Sequence, residues 1–157
     1  MIKKLFLIMV LTLLWNCAPK YFLPLPKKNA SKERIDKAQR FAEYFLNKCD
    51  AKDYSEIVGY DLDVNTRKFD FTSEKIEEKC KKINERYGKV TVGELNNAIT
   101  YSRPTDYYDY FVFKSKLEKI DSLRYVVVGF YRDKDFIGGN LIISSVTTPK
   151  IVRKKKK

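Results

Sequence analysis

Three cysteines, no histidine and a scatter of carboxylates limit the chemistry open to this chain. Without histidine there is no Ser-His-Asp or Cys-His triad, no histidine general base and no histidine-bearing zinc site. Cys17 closes an apolar run, whereas Cys49 and Cys80 lie in the body of the chain, and neither belongs to a C-x-x-C pair. That spacing offers no redox centre and no thiolate zinc site. It leaves either one disulfide between Cys49 and Cys80 or two buried free thiols. Most candidate carboxylates gather in expected turns, at Asp61, Asp63, Asp106, Asp133 and Asp135. Asp61-Leu62-Asp63-Val64-Asn65 opens like a calcium loop. An EF-hand needs glycine at its sixth position and a bidentate glutamate at its twelfth, and Thr66 and Thr72 stand there instead. Asp109 alone shares a strand register with Phe111 and Phe113, a setting that can turn a carboxyl group into a general base. One unpaired carboxylate makes no catalytic constellation. The chain is therefore read as non-catalytic, with no metal and no cofactor.

The first residues carry an address. Met1-Ile2-Lys3-Lys4 is positive, Leu5 to Leu14 is an almost unbroken apolar run, and Leu14-Trp15-Asn16-Cys17 follows. A basic start before an apolar stretch too short to span a bilayer is the pattern of an export signal. Leu14-Trp15-Asn16-Cys17 resembles the lipobox of bacterial lipoproteins: Leu14 and Cys17 match it, while Trp15 and Asn16 depart from its small residues. The resemblance implies a signal peptide over residues 1–16, acyl chains on Cys17 and a lipid-anchored place in the cell envelope. Ala18, rather than aspartate, after the cysteine points to the outer membrane over the inner one. An uncleaved anchor helix, or a plain signal cut near Ala18, is the alternative reading.

The formal net charge is +12 over 157 residues, a balance that draws a protein to acidic surfaces. No nucleic-acid recognition motif is present, and export argues against that partner. The expected partners are the membrane, through the lipid anchor, and an envelope protein or a small apolar ligand.

Residues 17–31 carry spaced prolines in Leu23-Pro24-Leu25-Pro26 and read as an extended tether. Ser31 is placed to cap a helix to about Cys49, with Ile35, Ala38, Phe41, Ala42, Phe45, Leu46 and Cys49 on one face. Lys32, Arg34, Lys37, Arg40 and Lys48 are then solvated. Asp53-Tyr54-Ser55-Glu56 has capping-box spacing for a short second helix burying Ile57 and Val58 and stopping at Gly59. Thr72 caps a third helix, Phe71 staples onto Ile76, and Cys80, Ile83 and Tyr87 continue the buried stripe to Gly88. From there the apolar period becomes 2. Strands are expected near Leu95–Tyr101, 107–118, Leu123–Arg132 and Phe136–Ser145, with a bend at Gly138-Gly139. The fold class is α+β: three N-terminal helices, then a curved four-stranded antiparallel sheet wrapped on the long helix. The domain runs over residues 32–148, and 149–157 form a basic tail.

That element order, with the junction Arg86-Tyr87-Gly88-Lys89-Val90, resembles the nuclear transport factor 2-like superfamily; a cystatin-like arrangement shares the helix-on-sheet layout. The resemblance implies a cone around an apolar pocket, with Phe41, Phe45, Tyr87, Phe111, Phe113, Tyr125 and Val127 as candidate wall residues. It also implies the alternative functions of the superfamily, a carrier of a small apolar ligand or an isomerase or dehydratase.

Overall fold

The computed structural model describes residues 22–26, 28–102, 107–132, 136–139 and 141–147. The expected export signal, Cys17, the expected turns at 104–106 and 133–135 and residues 149–157 lie outside them. The elements in chain order are β1 (Phe22–Pro24), α1 (Lys32–Asp50), α2 (Val64–Asp70), α3 (Ser73–Tyr87), β2 (Val90–Ser102), β3 (Tyr107–Leu117), β4 (Arg124–Tyr131) and β5 (Ile142–Ser144). The strands form one antiparallel sheet in the order β1-β2-β3-β4-β5, and α1 packs across β2, β3 and β4. The fold is α+β, with five strands rather than four.

Local chemistry explains the helices. Ser31 Oγ accepts a hydrogen bond from Arg34 N at 3.3 Å, so α1 begins where a side chain replaces a missing intrahelical partner. Ala38, Phe41, Ala42, Phe45, Leu46 and Cys49 are buried along its inner stripe. Thr72 Oγ1 caps α3 by accepting from Lys75 N at 3.4 Å, and Phe71 and Ile76 are both buried beside the cap. The helix stops at Gly88, where φ is +66°, a value that L side chains rarely adopt. A Cβ there would also lie 2.5 Å from Glu118 Oε2, the acceptor for Lys89 N, so the turn into β2 needs glycine.

Cys49 and Cys80 form a disulfide with a Cα–Cα distance of 4.7 Å, joining the end of α1 to the middle of α3. Both residues are fully buried. Phe71 packs edge-on against Phe41 and Phe45, at ring separations of 5.8 and 5.5 Å, beneath these helices.

Four expectations are corrected. No helix forms at 53–58. Asp53 is already engaged, accepting from Lys48 Nζ at 2.5 Å and from Ser55 N at 3.0 Å, and the residue stabilises a turn. Ile57 is buried as expected, but Val58 is 69% exposed, and the second helix is instead α2, capped by Asp63. Second, part of the expected tether joins the sheet: Phe22–Pro24 pairs with Ile99–Tyr101, and Leu25 is buried. Pro24 is tolerated because β1 is an edge. Third, Arg34 and Lys48, expected in solvent, are buried and partnered. Fourth, the last strand is only Ile142–Ser144. Phe136–Gly139 folds back on β4, with Gly138 N donating to Gly129 O at 3.0 Å and Ile137 bridging Phe130 and Leu62. Gly139, at φ +77°, carries the expected bend.

Candidate functional site

The expected pocket residues divide into three sets. Phe41, Phe45, Phe111 and Phe113 are fully buried in the central core. Tyr125 faces the other way, because β4 pairs Val126 with Phe113 and Tyr125 with Lys114, which puts the tyrosine, and with it Val127 two residues on, on the sheet face away from α1. Tyr87, at the end of α3, lines a surface groove described below.

Asp109 does point inward, as its register implies, and is fully buried. Its surroundings are not those of a general base. Arg34 Nη1 donates to Oδ2 at 2.8 Å, Thr100 Oγ1 donates to Oδ1 at 2.9 Å, and Arg132 Nε approaches Oδ1 at 3.3 Å. Arg132 Nη2 also donates to Thr100 Oγ1. Arg34 donates further to Asn29 O at 2.7 Å and Tyr131 O at 3.3 Å. Its guanidinium carbon sits 5.6 and 5.7 Å from the ring centres of Phe111 and Phe130. Both carboxylate oxygens are occupied by donors of the same chain, so the group ties α1 to β2, β3 and β4 instead of presenting a lone pair to a substrate. The signal in the sequence was Arg34 itself, four residues before buried Ala38 and thus on the inner stripe.

An open concavity lies between α3 and β5, with a volume of about 320 Å³. Its first wall is one stripe of α3, where Lys79, Lys82 and Arg86 recur at helical spacing beside Ile83 and Tyr87. Leu141, Ile142 and Ile143 form the other wall. The charges on the stripe are set locally. Lys82 pairs with Glu78 at 2.7 Å, and hydrogen bonds from Lys82 and Lys75 hold the Glu78 carboxyl down to about 2. The Arg86 guanidinium lies 5.3 Å from the Tyr87 ring centre. Lys79 donates to Asp70 O at 2.5 Å and stands 4.4 Å from the Phe71 ring centre. Burial pushes the Lys79 ammonium down to about 8, a fall partly opposed by the charge of Asp70. Sequence reading placed Ile83 and Tyr87 on the buried stripe but had no means of setting β5 opposite them.

The Lys79 shift has a testable sign. Its folded pKa is below the ordinary 10.5, so between about 8 and 10.5 the unfolded chain binds more protons than the folded one. Stability contributed by this residue therefore rises as pH increases through that window. Urea unfolding at neutral and alkaline pH should show a smaller alkaline gain in Lys79→Met than in the parent chain.

Among the described residues no group of three or more His, Cys, Asp and Glu side chains converges on a metal position, and no helix is long and apolar enough to cross a membrane. Comparison with protein-family models, curated proteins and solved structures gave no match for this chain.

Proposed function

We propose that this chain is a lipid-anchored, non-catalytic binding module of the bacterial cell envelope, acylated at Cys17, whose working surface is the groove between α3 and β5. The observation that carries the reading is the pairing of an apolar floor, Ile83, Tyr87 and Leu141, with the cationic stripe Lys79, Lys82 and Arg86. Such a surface suits a ligand that is apolar along its body and anionic at its polar groups. The isomerase or dehydratase reading has less support, because the one inward carboxylate, Asp109, is fully engaged by Arg34, Thr100 and Arg132.

For the fold family, the order of elements favours the cystatin-like arrangement over the nuclear transport factor 2-like one. An edge strand precedes the long helix, and the four later strands follow as a simple meander.

The groove is tested with anilinonaphthalene sulfonate, a small apolar anion. The folded protein should bind it, and Lys82→Glu with Arg86→Glu should weaken binding about tenfold or more by removing the cationic stripe. Equal binding by that variant defeats the reading. The anchor is tested by detergent partition of the exported protein: Cys17→Ser should leave the detergent phase, and no change in its partition would overturn the anchor.

A further inference from the structure

We propose that the groove receives an extended acidic segment of a partner protein, which adds to the free edge of β5 as a further strand. The inference rests on the groove being the working surface. β5 pairs with β4 through Val127–Ile142, Val126–Ile143 and Tyr125–Ser144, and among the described residues no strand pairs with its other edge.

Leu141, Ile142 and Ile143 are consecutive, yet all three line the groove. Leu141 leads into β5, and Ile142 and Ile143 are its first two residues; successive strand side chains point to opposite faces, so a cavity touching both isoleucines runs along the backbone of the strand. An occupant of that cavity meets main-chain donors and acceptors as well as side chains. Ile142 is 41% exposed, which leaves an apolar side chain on β5 open to an occupant of the groove. Unpaired edges of this composition are the surfaces to which extended peptides add.

Charge decides the character of the segment. Lys79, Lys82 and Arg86 span about 10 Å of helix at 1.5 Å per residue, close to the length of a three-residue strand at about 3.3 Å per residue. A strand of that length laid against β5 matches the stripe, and acidic residues at the alternate positions that face α3 complement its charge. The chain's own continuation, Arg153-Lys154-Lys155-Lys156-Lys157, has the same sign as the stripe and is electrostatically opposed to that place. Glu78 now holds Lys82, so the incoming carboxylate competes with Glu78 for that ammonium.

A single-chain amphiphile needs the floor and the cationic stripe but not the backbone edge, and this separates the two occupants. The full chain is titrated with fluorescent peptides alternating glutamate and valine. The controls are the lysine–valine counterpart and a glutamate–valine peptide N-methylated at alternate residues, which keeps every side chain and loses one row of donors. The unmodified acidic peptide should bind, the lysine peptide should not, and N-methylation should weaken binding about tenfold or more. Glu78→Gln should tighten the acidic peptide about two- to threefold by releasing Lys82. Equal affinity of the methylated and unmethylated peptides overturns strand addition. Binding of anilinonaphthalene sulfonate without binding of any acidic peptide also overturns this inference, while leaving the groove reading standing. Loss of both removes the groove as the working surface.

Discussion

Replacing Cys49 and Cys80 together by alanine should lower the melting temperature by about 10–15 °C, corresponding to a loss of about 3–4 kcal/mol. The bridge closes a loop with a sequence separation of 31, and that loop holds α2 and the turn at Asp53, elements too short to hold α3 in place alone. Much of the cost comes from the unfolded chain, which regains the freedom that the cross-link removes. Alanine is the cleaner substitution, because serine would place a hydroxyl where both side chains are fully buried. Calorimetry of the parent and the double variant measures the effect directly, and a shift of a degree or two would show that α1 and α3 hold together without the link. The same experiment reaches the groove. α3 provides the cationic stripe and packs chiefly on α1, so loosening it should also weaken capture of the apolar anion. A large fall in melting temperature with unchanged binding would mean that β5 and α3 keep their spacing by other contacts.

What was readable in the sequence follows from the range of each interaction. Ser31, Thr72 and Gly88 act within one helical turn, and the helices they bound lie where their capping chemistry puts them. The inward register of Asp109, Phe111 and Phe113 follows from strand alternation alone. The failures are all choices between partners. Asp53 has capping spacing, but Lys48, five residues earlier, takes its carboxylate, pulling it well below the usual range; no rule of local spacing ranks those two uses. β4 is apolar at successive positions, so sequence leaves its parity open, and the inner face expected for Tyr125 and Val127 is occupied by Val126 and Val128. β1 becomes a strand only because Ile99–Tyr101, far along the chain, offers it an edge. The groove was illegible for the same reason. Its two walls belong to α3 and β5, and only the folded sheet order brings Tyr87 opposite Leu141.

Replacing Asp109 by alanine should cost about 3–5 kcal/mol, because it leaves the buried Arg34 guanidinium without its carboxylate. The side chains of Asp109 and Arg34 are 0% and 10% exposed, so water cannot take over the lost contact. Arg132, at 25%, is better placed to turn outward and should matter less. A second variant separates the worth of the pair from the penalty of breaking it. Asp109→Leu with Arg34→Met replaces the ion pair by apolar volume beside Phe111 and Phe130, and buried pairs exchanged in this way are often near neutral in stability. The double variant should therefore be more stable than either single one, with a coupling of about 1–3 kcal/mol in denaturant unfolding. Costs that simply add would show that Arg34 and Asp109 do not depend on each other, leaving Thr100 and Arg132 as the true partners of the carboxylate. The cluster shares no residue with the groove, so the double variant should bind the apolar anion as the parent does. Loss of binding in a stable double variant would move the functional site from the edge of the sheet to the buried end of α1, and Asp109 would have to be reconsidered as a group that acts on a ligand.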